Sequence, residues 1–308
     1  MPALVHQLAL ISESSQVPIG DVMKVAAALQ KQASRDIGPI WEVSATVDAM
    51  EKLEDVPAGY WPIILMDDIG FSGAAGIHLD RDRQPFALVT ASSDRDVWSL
   101  TASHEMAEMI VDPFGDRLVA GDSPKPDQGR VRFLVEVSDP SEDASFGYSV
   151  NGVLVSDFYT PNFFDPVVAT SVRYSFTGAI KRPRQVLKGG YLSWVVSETN
   201  HWWQETWFDG GASSKFRDIG VLSATAGSFR SQLDRITGAE TAKALASGRA
   251  SAKVAGLTAA RTQDTSNAIA AAWRQQIQGL RKGSGGPSPK AGRTSSHRRE
   301  PQGFTPEE

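Results

Sequence analysis

The stretch Leu100-Thr101-Ala102-Ser103-His104-Glu105-Met106-Ala107-Glu108-Met109-Ile110-Val111-Asp112-Pro113 decides how this chain is read. A helix is predicted from about Asp96 to Val111, and Asp112-Pro113 ends it because a residue before proline resists helical geometry. Residues four apart on a helix share a face, so His104 and Glu108 point the same way and can meet one cation. Glu105 sits beside that stripe, free to touch a water on the same ion. Leu100, Met106, Met109 and Ile110 surround the stripe with apolar side chains, as a helix buried in a cleft requires, and the small Ser103 permits close packing.

Upstream, Val22, Val25, Ala26, Leu29 and Ala33 follow the helical period from Pro18 to Ile37, and Gly38-Pro39 is expected to stop the run. Residues 39–47 are predicted as a strand. Tyr60 to Met66 reads as another, continuously apolar and so buried on both faces. Gly73 and Gly76 flank a loop into Ile77-His78-Leu79, a polar turn spans Asp80 to Gln84, and Pro85 to Thr90 returns as the partner strand. A helix-first opening with a largely contiguous sheet predicts an α+β fold with a mixed sheet. Downstream, Val131–Val137 is strand-like, and Tyr148 to Val155 is a hairpin because Asn151-Gly152 favours a turn that matches strand twist. Lys188 to Trp194 reads as a turn and strand, and His201-Trp202-Trp203 with Trp207-Phe208 closes this β-rich part.

Beyond Gly210 the composition shifts to Ala, Ser, Arg, Gln and Thr, with helical patches at Phe229–Ile236 and Ser266–Leu280. The expected divisions are 1–115, holding the site helix, and 116–209, β-rich and aromatic, which completes the cleft. A partly helical extension follows at 210–282 and a disordered tail at 283–308. The folded unit is expected to end near Asp209.

The 308 residues are 41% hydrophobic and 22% charged, an ordinary globular balance with length enough for a large core. A net charge of −5 and a pI near 5.6 speak against a general nucleic-acid binder. With no cysteine, disulfides are impossible and any metal must be held by His, Asp or Glu. The N-terminal residues lack the basic, apolar and cleavage segments of a signal peptide, and no stretch approaches the roughly 20 apolar residues that span a bilayer. The expectation is a cytoplasmic protein with no membrane partner, a phage particle being an alternative setting.

His-Glu-x-x-Glu has the geometry of the HExxH metallopeptidase helix, in which two histidines bind zinc and the intervening Glu is the general base. Glu108 replaces the second histidine here, and a carboxylate is a legitimate zinc ligand. More broadly, residues 18–166 resemble a set of uncharacterised bacterial and phage proteins with a zincin-like core. The resemblance rests on Ala28–Gln32, Gly73–His78, Ser103–Met109, Glu136–Pro140 and Gly152–Phe158. It implies a zincin-like mixed sheet, a metal, and a cleft strand carrying Ile77 and His78 that pairs with extended substrate backbone.

A catalytic zinc needs a third protein ligand. Glu136, at the end of a downstream strand, is the first choice by analogy with zincins that use a downstream glutamate, and Asp139 and Asp112 are the alternatives. One histidine with two carboxylates makes a hard, anionic site, open to manganese, iron or calcium as well as zinc. Glu105 is then the base of a metal-dependent hydrolase, in first place a peptidase acting on peptide or protein substrates. Tyr148, Tyr159, Tyr191 and His201 are oxyanion donors by residue type alone. Two other readings stand beside it. One is a non-enzymatic phage- or particle-associated component that keeps the zincin core as a scaffold, its tail folding on a protein partner. The other is a carbohydrate- or partner-binding module built on His201, Trp202, Trp203 and Trp207, aromatic types that more often fill a core. By the same weighing, His78 is more often a surface strand histidine than a cleft residue.

Overall fold

The structure, a computed structural model, describes residues 5–246 except 72, 73, 82, 209, 210, 224 and 226. Strands β1 (Val5–Ser12), β2 (Ser44–Ala49), β3 (Trp61–Met66), β4 (Gly76–Arg81) and β5 (Gln84–Thr90) form a sheet in the order β2-β1-β3-β5-β4. The first four in that order run parallel, and β4 returns antiparallel to β5 as the outer strand. The sheet is mixed and the class is α+β.

Successive strand residues point to opposite faces, and that period of two sorts the core into layers. Leu8, Leu10, Ile63, Leu65, Ala87 and Val89 pack with the apolar faces of α1 (Ile19–Lys31) and α3 (Arg95–Val111). Ala9, Ile11, Ile64, Met66, Phe86 and Leu88 enter the opposite layer with Leu53 and Ile69. On β4 the alternation sends Ile77 into that second layer and turns His78 toward α3. Full burial of each Leu, Ile, Val, Met or Phe among them contributes roughly 1.5–3 kcal/mol.

Three sequence expectations need correction here. Gly38-Pro39 does not stop the first helix: α1 runs on through a π-helical turn, Gln32–Ile37, into α2 (Gly38–Trp41). Proline is tolerated there because it opens α2, where its missing N–H is not required. Glu42 then ends the helix in the left-handed region, so the strand begins at Ser44 rather than Pro39. Second, β1 was not anticipated, although it lies inside the sheet with Leu8, Ala9, Leu10 and Ile11 fully buried.

Third, the folded part does not end near Asp209. Strands β6 (Leu118–Asp122), β7 (Arg130–Leu134), β10 (Tyr191–Val195), β11 (His201–Thr206) and β12 (Lys215–Val221) form an antiparallel sheet in the order β12-β11-β10-β7-β6. After it, α4 (Phe229–Ala246) packs Leu233 with Leu134, Val195 and Trp202. Between β7 and β10, β8 (Tyr148–Val150) and β9 (Val153–Val155) make the expected hairpin, with Asn151 at φ 52° and Gly152 at φ 74°. One apolar core runs from Leu8 through α3 to Phe133 and Trp194, joining both sheets. Among the described residues no helix is long and apolar enough to cross a membrane. The helical patch at 266–280 and the basic tail lie outside the described residues.

Candidate metal centre

Helix α3 starts cleanly because Asp94 caps it, its carboxylate accepting the Asp96 N–H at 3.0 Å. From Trp98 to Val111 every side chain is buried, so the helix is enclosed on all sides rather than split into wet and dry faces. Ser103 supplies a junction: its hydroxyl accepts the Ser156 N–H at 2.7 Å and donates to the Leu100 carbonyl at 2.7 Å. Ser99 donates to the Leu154 carbonyl at 2.8 Å. These bonds hold α3 against β9 and aim the stripe His104, Glu105, Glu108 toward β4, the segment after β7, and α4.

There, His104 Nε2 lies 3.4 Å from Glu108 Oε2 and 3.2 Å from Asp139 Oδ1. Both oxygens are buried and outside hydrogen-bond geometry among the described residues, although Glu108 Oε2 is ion-paired with Arg230 Nη1 at 2.5 Å. Ligands on a tetrahedral zinc at about 2.1 Å stand about 3.4 Å apart, which the two distances from His104 match, and the three atoms all lie within 4.8 Å of one another. The other oxygen of Glu108 accepts the Ser138 N–H at 3.1 Å, which fixes the carboxylate. A second grouping, His78, Glu105 and Glu108, shares the same carboxylate. His78 Nε2 is 3.2 Å from the Asp112 carbonyl. A carbonyl only accepts, so that nitrogen carries a proton, and Nδ1 faces Glu105 Oε2 at 3.6 Å and Glu108 Oε2 at 3.8 Å. His78 is fully buried, not a surface strand histidine.

The other sequence candidates divide sharply. Glu136 is buried nearby, but its carboxylate contacts the Arg230 guanidinium and falls outside both metal-like groupings. Asp112 is committed elsewhere, its two oxygens accepting the N–H groups of Asp116 (3.3 Å) and Arg117 (2.9 Å) as the helix turns into the following loop. Ile77 points into the opposite layer of the sheet and does not line the pocket. Tyr148 donates to Asp36 at 2.9 Å, and His201 pairs with Asp218 at 3.0 Å on the second sheet. Tyr191 reaches Asp234 at 3.4 Å, and the Tyr159 hydroxyl is buried without a hydrogen-bond partner among the described residues. Burial, followed by nearby carboxylates, pushes both of these phenols well above their ordinary range. Trp202 is packed on Phe229 at 4.8 Å between ring centres, which makes it core filling.

Arg230, on α4, was not anticipated as part of the site. Its Nη1 lies 2.5 Å from Glu108 Oε2 and 3.9 Å from Asp139 Oδ2. Nη2 is 3.7 Å from Glu105 Oε2, and Nε bonds Asp234 at 2.8 Å. Five carboxylates, those of Glu105, Glu108, Glu136, Asp139 and Asp234, thus surround one guanidinium and two imidazoles. With both imidazoles protonated the cations number three, so two negative charges still lack a partner. A buried charge must be paired or neutralised. Protons supply one answer: burial, reinforced by Glu108, raises Asp139 well above the usual carboxylate range, and burial lifts Glu142 to about 8. Burial opposes charge on His104, yet Glu108 and Asp139 overcome it and hold the imidazole well above its ordinary value. Burial also opposes charge on Glu108, but Arg230 and His104 bring it far below the usual range. A divalent cation held by these carboxylates would be the other answer.

No protein-family model, curated protein or solved structure gives a significant match to the chain.

Sequence reasoning missed Arg230, Asp234 and Glu142. The one available signal was Arg230 and Asp234 standing four apart in a predicted helical patch, an ion-pair spacing that says nothing about what the patch packs against.

Proposed function

We propose that this protein is a metal-dependent hydrolase of the zincin-like peptidase type, with His104, Glu108 and Asp139 holding a divalent cation and Glu105 acting as general base. The observation that carries the reading is the convergence of an imidazole nitrogen and two carboxylate oxygens, at 3.2 and 3.4 Å from it, within a buried cluster. Zinc fits by ligand spacing, and a site with one imidazole and two carboxylates also suits manganese, iron or calcium. A cation there supplies Lewis acidity and lowers the pKa of water toward neutrality.

The protein's own groups do the rest. Glu105 Oε2 is buried, has no hydrogen-bond partner among the described residues and faces the same cluster, in position to accept a proton. His78 holds its Nδ1 beside that oxygen, with its ring fixed by the Asp112 carbonyl. The outer strand β4 runs past the site helix in the place where an extended peptide would pair by strand addition. The mixed sheet with one antiparallel outer strand supports the zincin-like comparison, and peptide or protein is the substrate class it favours.

A second reading is a non-enzymatic scaffold, such as a particle component, whose acidic cluster is structural. Arg230 favours it, since a guanidinium already accompanies Glu108. Hydrolysis of a fluorogenic peptide library with added zinc or manganese separates the two. Under the enzyme reading Glu105→Gln abolishes cleavage and keeps the ion, while His104→Ala loses both. Cleavage unchanged in Glu105→Gln removes the assigned base, and no cleavage by the metal-loaded wild type favours the scaffold.

A further inference from the structure

Helix α4 brings a single cation into a pocket otherwise crowded with carboxylates. Arg230 is buried, and its Nη1 lies 2.5 Å from Glu108 Oε2. That oxygen is the one 3.4 Å from His104 Nε2 in the metal-like grouping. The same guanidinium contacts Glu136, stands 3.7 Å from Glu105, and is 3.9 Å from Asp139. A guanidinium and a divalent cation therefore draw on the same carboxylate oxygen, and full engagement of one weakens the hold of the other.

The attachment of α4 is built around Arg230. Its backbone N–H donates to the Gly115 carbonyl at 3.2 Å, and Gly115 sits at φ +57° with no room for a side chain, since a Cβ there would lie 2.5 Å from Arg230 Cβ. Asp234, one turn later, bonds the guanidinium Nε and sets its direction. Leu233 and Phe229 seat the helix against Trp202, and Gln204 donates to Thr237 Oγ1 at 2.7 Å. The helix also packs beside β4, the strand along which an extended substrate would lie. One element thus covers both the cation position and the strand.

We propose that α4 is a built-in latch, in which Arg230 serves as an internal counter-cation for Glu108, Glu105 and Glu136 and is displaced when a divalent cation takes Glu108. The inference rests on the metal reading above and adds its regulation: the closed form keeps the site covered until metal loading releases the helix, which also exposes β4.

The test uses the full chain, titrated with zinc chloride or manganese chloride by calorimetry. Arg230→Met keeps the apolar stem of the side chain and removes the competing charge, so it should bind the ion at least about ten-fold more tightly than wild type, with Arg230→Lys in between. In wild type, metal addition should speed amide hydrogen exchange across residues 229–237. Equal or weaker metal binding by Arg230→Met overturns the latch and leaves the metal reading standing. If neither protein binds a divalent ion, the metal reading falls and the latch with it. Should Arg230→Met fail to fold, the wild-type exchange experiment decides alone: unchanged or slower exchange on metal addition refutes displacement.

Discussion

Replacing Gly76 by alanine strikes the contact on which the catalytic assignment depends. Gly76 opens β4 where the strand crosses α3, and a Cβ there would lie 2.5 Å from Thr101 Cγ2 and 2.6 Å from Glu105 Oε1. Ordinary carbon contacts are about 3.5–4.0 Å, so the strand and helix must part by about 1 Å or the side chains must move. Thr101 has little freedom, being β-branched on a buried helix with its hydroxyl donating to the Val97 carbonyl at 3.2 Å. Glu105 is the group that gives way, out of register with His78 and the pocket. Overpacking of this kind costs about 1–3 kcal/mol. For a domain of this size that is a fall in melting temperature of about 2–12 °C. Displacing a reacting group by about 1 Å costs on the order of 100-fold in rate. Zinc affinity should hold, because the three atoms nearest a Cβ at Gly76 belong to Thr101 and Glu105 and not to His104, Glu108 or Asp139. Circular-dichroism melting, zinc titration and peptide cleavage read the three effects separately. A variant with wild-type melting and wild-type cleavage would show that β4 and Glu105 do not meet as described.

Two further predictions follow from the same geometry. Gly115→Ala, strained at φ +57° and set against Arg230 Cβ, should loosen α4 and raise its hydrogen exchange, with a stability loss of about 1–3 kcal/mol by chemical denaturation; unchanged exchange would argue against this docking point. The stability of metal-free protein should fall with rising pH. Glu142 carries a pKa of about 8 in the folded chain against an ordinary 4.5, so it binds its proton more tightly when folded. Its contribution is complete below 4.5 and is lost as pH rises through about 8, and the raised Asp139 and His104 act in the same direction. The lowered Glu108 acts oppositely, losing its contribution as pH falls. A divalent ion favours ionised carboxylates and should flatten the alkaline decline in melting temperature. A decline that saturating zinc leaves in place would place the charge imbalance outside the metal ligands.

The part of the fold written in short periods was legible. The run around His104 gave helix α3 and put His104 and Glu108 on one face, because four residues make about one turn. The apolar run before Met66 marked a buried strand, the run before Thr90 marked the partner of the Ile77–Leu79 strand, and Asn151-Gly152 marked the hairpin. What failed depends on contacts remote in sequence. Val5–Ser12 has only a short apolar core, and its place inside the sheet comes from pairing with β2 and β3. Pro39 looked like a helix stop because its position after a π-helical turn is a tertiary accommodation. Spacing along the chain also could not choose between Glu136 and Asp139. The strand ends at Leu134, and the loop beyond it turns Asp139 to His104 while Glu136 meets Arg230. Arg230 itself lay hidden in an Ala- and Ser-rich stretch whose composition suggested little to bury, yet Leu233 and Arg230 are both inside.

The most direct measurement is the stoichiometry and ligand environment of the bound ion, read by zinc titration and X-ray absorption on wild type, Asp139→Asn and Glu136→Gln. One ion per chain is expected, in a shell containing a single imidazole with carboxylate oxygens near 2.0–2.2 Å. Asp139→Asn should bind it far more weakly and Glu136→Gln should retain it. No bound zinc at saturating concentration, or an ion held equally well without the Asp139 carboxylate, would contradict the assignment.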